Sequence, residues 1–467
     1  MQLHNQRVVL GIILATYLMI VLDATVVITA LPNIHEGLHF SSAELSWVQS
    51  AYALTFGGLL LLGARAGDII GRRTVFILGI GIFTFASFLG GLAQSPTELL
   101  VARAVQGAGG AIAAPSTLAL LTTNFREGDE RNRALAAYSA VAGGGGSVGL
   151  VLGGLLTSLI SWRAGLFINV PVGVALMFLA PRYLEETEPQ PGRFDAAGAV
   201  TSTVGMTAVV YGFVRAASNG WGDPITVASF AAGLVLLAVF IANERRAAQP
   251  ITPLRLFASR ERAGAYAARM LAVGGMFSMF FFMSQYLQGV RGYTPFETGL
   301  AFLPMTLVMF AMVRTVPRLA ARYGNTALLT AGLSLAALGM TWLSRIGFDT
   351  PFFPAIALPL VMLGLGMGGA LAPLTAAGIA GVEARDAGAA SGVVNASQQL
   401  GSSLGLSILV TVFAANGSEA DRHGLADGVA AAITGSALLL TLALATIVLV
   451  VQRTASEVEH LAIIEVD

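Results

Sequence analysis

Apolar segments long enough to cross a lipid bilayer recur along the whole chain. A spanning helix needs about 20 mostly apolar residues, and only 11% of the residues are charged, whereas a soluble domain carries about 25%. The few polar residues cannot cover such an apolar core in water. The sequence therefore predicts an all-α polytopic membrane protein. Fourteen segments qualify, near residues 8–31, 45–64, 75–94, 98–121, 137–160, 164–181, 196–214, 225–242, 266–288, 297–316, 326–344, 353–377, 388–413 and 429–451.

Two residue types that chemistry often requires are absent. The chain has no cysteine, and all 26 basic residues are arginines. A Walker A phosphate loop and a Schiff-base cofactor both need a lysine, so we expect no cofactor and no ATP hydrolysis by that route. The five histidines lie in loops or tails without ligand spacing, so we expect no metal. The net charge is zero, which predicts no nucleic-acid partner.

The placement of the arginines indicates the orientation, because cytoplasmic loops of membrane proteins are enriched in positive residues. With the N-terminus inside, nineteen arginines fall on the cytoplasmic side and five fall outside. We therefore expect both termini in the cytoplasm. The five outside arginines are Arg163, Arg215, Arg291, Arg345 and Arg422.

Similar short motifs recur eight segments apart, which indicates an internal repeat. The basic turns GARAGDIIGRR and RTVPRLAARYG end segments two and ten, and a G-x-x-x-G pair occurs in segments five and thirteen. This offset predicts an N-terminal six-helix bundle at residues 1–187, an inserted helix pair at 188–262 and a C-terminal six-helix bundle at 263–467. Such repeats are typical of transporters whose site lies near the membrane midplane between the halves.

One carboxylate, Asp23, interrupts the apolar run VLDATVVITALP of the first segment. A charge at that depth costs about 2.5 to 3.5 kcal/mol. Burial disfavours the charged form, so Asp23 is either a structural partner of a neighbour or a site that takes up a proton or cation. Arg103 lies at a comparable depth in segment four and is its expected partner. Structural pairing and conformational coupling both remain open for Arg103.

Polar and aromatic side chains on several segments are candidates for a substrate cavity. The aromatic and methionine face of segment nine either packs against lipid or a neighbouring helix or lines a central cavity, where it would suit an apolar ligand. The glycines of segment five serve either plain helix packing or a contact that rearranges during transport. The cavity candidates are Gln49, Tyr52, Gln106, Phe281, Gln285, Tyr286, Asn395, Gln398 and Gln399, and the glycines are Gly145, Gly149, Gly153 and Gly154.

Several motifs together resemble the fourteen-span drug:proton antiporters of the major facilitator superfamily. VLDATVVITALP is similar to the first-helix signature LDxTVVNVALP of that family, Arg103 and Gln106 match R-x-x-Q-G-x-G, and SWRAGLFINVPVG resembles WRWxFxINVPxG. The likeness runs essentially from end to end. It implies proton-coupled efflux by alternating access in a bacterial plasma membrane, with the lipid bilayer, protons and a small molecule as partners. We also expect a monomer.

The resemblance extends to the loop between helices two and three, with Asp68, Gly71, Arg72 and Arg73 as gate residues. It implies that Asp68 holds the two halves together on the inner side by facing the start of a helix in the second half. By the eight-segment offset, that helix is expected to be the thirteenth, which begins near residues 386–390. A helix N-terminus attracts a carboxylate because it carries about half a positive charge. The alternative is that Asp68 caps helix three or satisfies Arg72 locally.

Three motifs depart from the family pattern and affect these expectations. In the motif of helix five, Leu150 replaces a proline, and in the loop motif Ile69 replaces a common basic residue and Ala64 a common glycine. The third is helix thirteen, which lacks the membrane carboxylate that some exporters of polyvalent cations have. Its absence favours neutral, monocationic or zwitterionic substrates.

The sequence therefore predicts proton-coupled efflux of apolar or amphiphilic small molecules. A dedicated exporter of one endogenous metabolite or antibiotic is the alternative, and a membrane sensor that has lost transport is a remote one. An enzyme is not expected, because no loop carries a catalytic set of residues.

Overall fold

Fourteen helices long and apolar enough to cross a membrane form the described part of the chain, which confirms the predicted count. The computed structural model describes residues 2–125, 128–192, 194–247, 249–383, 386–417 and 421–452. Four arginines that entered the prediction of orientation lie outside these residues, namely Arg126, Arg193, Arg385 and Arg453.

The spanning helices are numbered α1 to α14, and their ends agree with the predicted segments to within a few residues in most cases. The largest difference is at the start of α5, which begins at Asp129 and not near residue 137. The start of α12 moves from 353 to Ala357, because Pro354 disfavours helical geometry in the residue before it. The helices are α1 (Gln6–Leu38), α2 (Ala43–Ile70), α3 (Arg72–Leu92), α4 (Pro96–Asn124), α5 (Asp129–Leu159), α6 (Ala164–Tyr183), α7 (Ala196–Asn219), α8 (Pro224–Glu244), α9 (Arg260–Val290), α10 (Pro295–Tyr323), α11 (Asn325–Leu343), α12 (Ala357–Ile379), α13 (Ala387–Asn416) and α14 (Arg422–Val450).

Local sequence signals fix several helix starts. Ser95 accepts a hydrogen bond from the backbone of Glu98 and is followed by Pro96 at the first position of α4. Thr294 and Glu297 cap each other's backbone at the start of α10. These side chains satisfy backbone N–H groups that have no partner within the helix.

By its internal contacts the chain divides into two compact units, Met1–Ile251 with Leu287–Leu303, and Thr252–Tyr286 with Pro304–Asp467. In the first unit α1 packs on α5 and α3 packs on α4, and in the second α9 packs on α13 and α11 packs on α12. The packing therefore repeats with the same offset of eight helices as the motifs.

Glycines allow the close approach in both repeats. A side chain on Gly149 or Gly153 of α5 would meet Thr25 or Val26 of α1. In the second unit, a side chain on Gly401 of α13 would meet the backbone of Met270 on α9. Small residues at four-residue spacing let helix backbones come together in this way.

Helices α7 and α8 pack on each other, and α7 contacts α2 within the first unit. Near the end of α7, Arg215 Nε donates to Oδ2 of Asp223, which lies in the loop before α8, at 2.6 Å. This hydrogen bond is the main reason that the pKa of Asp223 is lowered to about 2. The division into two bundles and an inserted pair at 188–262 stays a prediction.

Candidate functional site

Asp23 lies at the centre of a buried polar network in the first unit. Asp23 is 1% exposed and Arg103 is 2% exposed. Arg103 Nη1 donates to Asp23 Oδ2 at 2.6 Å. The other carboxylate oxygen, Oδ1, accepts from Gln106 Nε2 at 2.7 Å and from Asn169 Nδ2 at 3.0 Å. Side chains from α1, α4 and α6 thus meet at one carboxylate.

The guanidinium of Arg103 is held on several sides. Its Nε donates to the carbonyl oxygen of Val48 at 3.0 Å, and its Nη1 also donates to Gln106 Oε1 at 2.6 Å. The carbon at its centre lies 4.5 Å from the ring centroid of Tyr52, a cation–π contact. Arg103 therefore joins α1 and α2 to α4, and its orientation is fixed by neutral partners as well as by Asp23.

Two members of the network, Asn169 and Ser87, were not assigned a role from the sequence. Asn169 lies in the INVPVG segment of the family motif, which is the one signal that could have singled it out. Ser87 on α3 accepts from Gln106 Nε2 at 2.7 Å and from Asn169 Nδ2 at 3.4 Å. Nothing in the sequence around Ser87 distinguishes it from a packing residue.

The network gives Asp23 a specific chemistry. A buried charge is stabilised only when it is paired and hydrogen-bonded, and here the ionised carboxylate has one charged donor and two amide donors. A proton on Asp23 would remove the charge that Arg103 neutralises. Protonation of Asp23 and its ion pair with Arg103 are therefore mutually exclusive states of one site.

The predicted cavity residues of α2 carry polar atoms without partners. The amide Nε2 of Gln49 and the hydroxyl of Tyr52 are buried and have no hydrogen-bond partner in the structure. The two residues are three positions apart on one helix, so their side chains lie on the same face. Buried polar atoms without partners cost free energy, which a hydrogen-bonding ligand would recover.

The cavity candidates of the second unit lie in different environments. Phe281 and Tyr286 are fully buried, and the Tyr286 hydroxyl donates to the carbonyl of Gly347 at 2.7 Å. Gln285 is buried, whereas Asn395 is exposed and donates to the carbonyl of Ser391. Gln398 and Gln399 are half-buried. Their assignment to a substrate cavity stays a prediction.

Arg269 on α9 was not assigned a role from the sequence. It is 7% exposed, and its Nη2 donates to Gln398 Oε1 at 2.8 Å. The sequence offered little signal, because Arg269 follows Arg260 and Arg262 at the start of the helix, where arginines normally face the cytoplasm.

In the gate loop, Asp68 forms an ion pair with Arg72, four positions further along the chain. Its Oδ1 accepts from Arg72 Nη2 at 2.6 Å, and both side chains are partly exposed. Gly71 between them has φ +119°, a conformation that favours glycine. At the predicted docking position on α13, Asp386 forms a bidentate ion pair with Arg255 at 2.6 Å for both bonds. The latch between Asp68 and α13 stays a prediction.

Glu186 ties the same loop to the segment after α6. Its carboxylate accepts from the backbone N–H groups of Arg73 and Thr74 and from the Thr74 hydroxyl. Partial burial acts to raise the pKa of Glu186, but these hydrogen bonds together lower it. Glu186 thus caps α3, a role that was one of the alternatives for Asp68.

Three of the four glycines of α5, namely Gly145, Gly149 and Gly153, lie against α1. A side chain on Gly145 would meet Val21 and Leu18, and one on Gly154 would meet Pro295 at the start of α10. Leu150, which replaces the family's proline, is buried. With leucine at this position, α5 runs unbroken over Asp129–Leu159.

Fourteen spanning helices in a repeated arrangement, with a carboxylate and a guanidinium paired among them, define a polytopic membrane transport protein. Among the residues that the structure describes, no three His, Cys, Asp or Glu side chains cluster as metal ligands. The chain belongs to the Major Facilitator Superfamily, whose family model matches residues 13–406.

Two relatives that match most of the chain are named as an export protein and a resistance protein. It is 39% identical over 439 residues to the cephamycin export protein CmcT of Amycolatopsis lactamdurans, covering 93% of this chain and 90% of the relative. It is 40% identical over 453 residues to the puromycin resistance protein pur8 of Streptomyces alboniger, covering 96% and 89%.

A solved structure supports the fold. The inward-facing, unoccupied structure of a bacterial homologue of the human lysosomal transporter Spinster matches with a TM-score of 0.67. That match covers 96% of this chain and 97% of the other at 17% identity, so it bears on the fold alone.

Proposed function

We propose that this protein exports apolar or amphiphilic small molecules from the cytoplasm in exchange for protons, by alternating access. The observation that carries the proposal is the buried network of Asp23, Arg103, Gln106 and Asn169. Two relatives that match most of the chain carry the names of an export protein and a resistance protein, which supports efflux as the direction.

In this mechanism Asp23 exchanges a proton for its ion pair with Arg103. When a proton binds Asp23, the Coulomb attraction between α1 and α4 is lost and Arg103 is held by Val48, Gln106 and the ring of Tyr52. When the proton leaves, the ion pair re-forms. The two states differ in the interactions between helices, which is what a two-state transporter requires.

Proton entry supplies enough energy for efflux. One charge moving through 100 mV contributes about 2.3 kcal/mol, and every 1.4 kcal/mol is a factor of ten. One proton per cycle therefore supports about a 40-fold concentration ratio of a neutral substrate.

We place the protein in the plasma membrane as a monomer. The arginine distribution indicates that both termini lie in the cytoplasm.

The test is uphill transport in proteoliposomes under an imposed pH gradient. The variant Asp23→Asn keeps the shape of the side chain but replaces the carboxylate by an amide, which does not take up a proton. We expect it to fold and to lose proton-driven transport of a fluorescent apolar probe that the wild type exports. The control is Asp223→Asn, which removes a loop carboxylate paired with Arg215 and should transport normally. Uphill transport by Asp23→Asn at the wild-type rate would contradict the proposal.

A second candidate is the dedicated export of one metabolite or antibiotic. It is favoured by the unpartnered polar atoms of Gln49 and Tyr52, because fixed hydrogen-bonding groups select for one ligand. A growth-inhibition panel in a host without its own efflux pumps separates the two candidates. Resistance to many unrelated compounds supports the multidrug function, and resistance to one structural class supports the dedicated exporter.

A further inference from the structure

Arg269 is a buried cation in the second unit whose known partners are all neutral. Its Nη1 donates to Thr375 Oγ1 at 2.9 Å and to the carbonyl of Leu371 at 3.5 Å, and its Nη2 donates to Gln398 Oε1 at 2.8 Å. Its Nε is buried without a hydrogen-bond partner. In the part of the chain that the structure describes, no carboxylate lies within 4.0 Å of its guanidinium.

The contrast with Arg103 shows what is missing. Both arginines are almost fully buried in spanning helices, but Arg103 has the carboxylate of Asp23 at 2.6 Å. Neutral acceptors satisfy individual N–H groups and leave the net charge uncompensated. An uncompensated charge at membrane depth is costly, and ionisable residues in such positions are typically functional. The second unit therefore contains a positive site that an external anion would stabilise.

The edge of Arg269 formed by Nε and Nη2 is the edge that arginines elsewhere in this chain use to bind a carboxylate. Elsewhere in this chain, Arg255 uses Nε and Nη2 to bind both oxygens of Asp386, and Arg215 uses the same two nitrogens on Asp223. On Arg269 this edge consists of the unpartnered Nε and of Nη2, which is held only by the amide of Gln398. Carboxylates and phosphates bind guanidinium groups in this bidentate way.

We propose that Arg269, together with Gln398, binds the anionic group of the transported molecule. The substrate class is then amphiphiles with a carboxylate or phosphate group, including zwitterions. Gln398 contributes because its amide oxygen accepts from Nη2 and so holds the guanidinium edge in position. This inference rests on the proposed efflux function and narrows its substrate class.

The experiment compares one ligand with and without its charge. N-dansyl-phenylalanine and its methyl ester differ only in the carboxylate, and dansyl emission reports binding to the purified protein in maltoside micelles. A hydrogen bond to a charged group contributes about 1.5 to 3 kcal/mol, which corresponds to about 10- to 100-fold in affinity. We expect Arg269→Gln to weaken binding of the acid by at least 10-fold and of the ester by less than 3-fold.

Further variants separate charge, geometry and folding. Arg269→Lys keeps the charge but loses the planar fork, so it should recover only part of the affinity for the acid. Gln398→Ala keeps Arg269 and should weaken the acid more than the ester, and it tests the proposal even if Arg269→Gln does not fold. The control is Arg262→Gln, two turns earlier on α9, where the arginine donates to the carbonyls of Leu256 and Ala380. It should leave the acid-to-ester ratio unchanged.

Two results would overturn the assignment. Equal weakening of acid and ester in Arg269→Gln and Gln398→Ala would make Arg269 a packing residue. Competition between added phosphatidylglycerol and the acid in the wild type, without transport of the acid, would make a lipid headgroup the occupant. The first of these results rests on binding alone and does not depend on transport. A wild type that binds the acid through Arg269 but moves neither probe in a pH gradient would refute the efflux function instead.

Discussion

Replacing Asp23 by leucine and Arg103 by methionine, singly and together, measures how strongly the two charges depend on each other. The joined atoms are 2.6 Å apart, so the charge centres lie about 4 Å apart and attract each other by about 4 kcal/mol at an effective dielectric constant of 20. Breaking a buried pair from one side typically costs about 3 to 5 kcal/mol because a charge is left uncompensated. Each single variant should lose about that much free energy of unfolding.

The double variant should lose less than the sum, because it leaves no buried charge. It still deprives the amides of Gln106 and Asn169 of an acceptor, although both retain Ser87. We therefore expect the double variant to be about as stable as either single variant, which requires a coupling free energy of about 4 kcal/mol. Denaturant titration in mixed micelles, followed by the emission of the four tryptophans, measures all four stabilities.

The two possible results have different meanings. Losses that add to within about 0.5 kcal/mol are typical of independent sites, and they would refute the argument that the network depends on charge pairing. A large coupling free energy would show that the pair contributes to stability. A double variant that is folded but exchanges no protons would show that the pair also has a separate role in transport.

Two further predictions concern the helix contact and the gate loop. Gly149→Ala should lower the free energy of unfolding by about 1 to 3 kcal/mol, because the new methyl group overlaps Thr25. The control is Gly146→Ala, where the nearest atom is 3.9 Å away and the change should be neutral or stabilising. Equal effects of the two variants in thermal unfolding would contradict the predicted overlap. Asp68→Asn should shift the chain towards inward-open forms with little loss of stability, because its partly exposed pair with Arg72 contributes about 1 kcal/mol or less. The chain has no natural cysteine, so single cysteines can be introduced at the cytoplasmic ends of α2 and α13 and spin-labelled. The distance between the two labels reports the shift, and an unchanged distance would leave Asp68 with a local role only.

The features that the sequence predicted are those with a local signature. A spanning helix is determined by the length of one apolar segment, so all fourteen were found. Asp23 and Arg103 were found because each is a charge where charges are expensive. The structure places their side chains in contact, 80 positions apart in the sequence.

The features that the sequence missed depend on contacts between distant segments. Ser87 and Asn169 are neutral residues of common types, and their importance comes from helices α3 and α6 approaching Asp23. The role of Glu186 likewise depends on its position beside the first turn of α3. No periodicity or composition in one segment indicates which of its polar side chains faces a charge on another.

The arrangement of buried charges has a consequence for the energetics of export. In the first unit Arg103 is balanced by Asp23, whereas Arg269 in the second unit is balanced by no described residue. With a carboxylate as the ligand of Arg269, one cycle moves a monoanion outwards and a proton inwards. Both movements carry positive charge inwards, so at one proton per cycle the membrane potential contributes about 4.6 kcal/mol per 100 mV. The same cycle gains about 2.3 kcal/mol with a neutral substrate and nothing with a monocation. A cationic site for the substrate and a carboxylate for the proton are therefore an energetically favourable combination for an exporter driven by membrane potential.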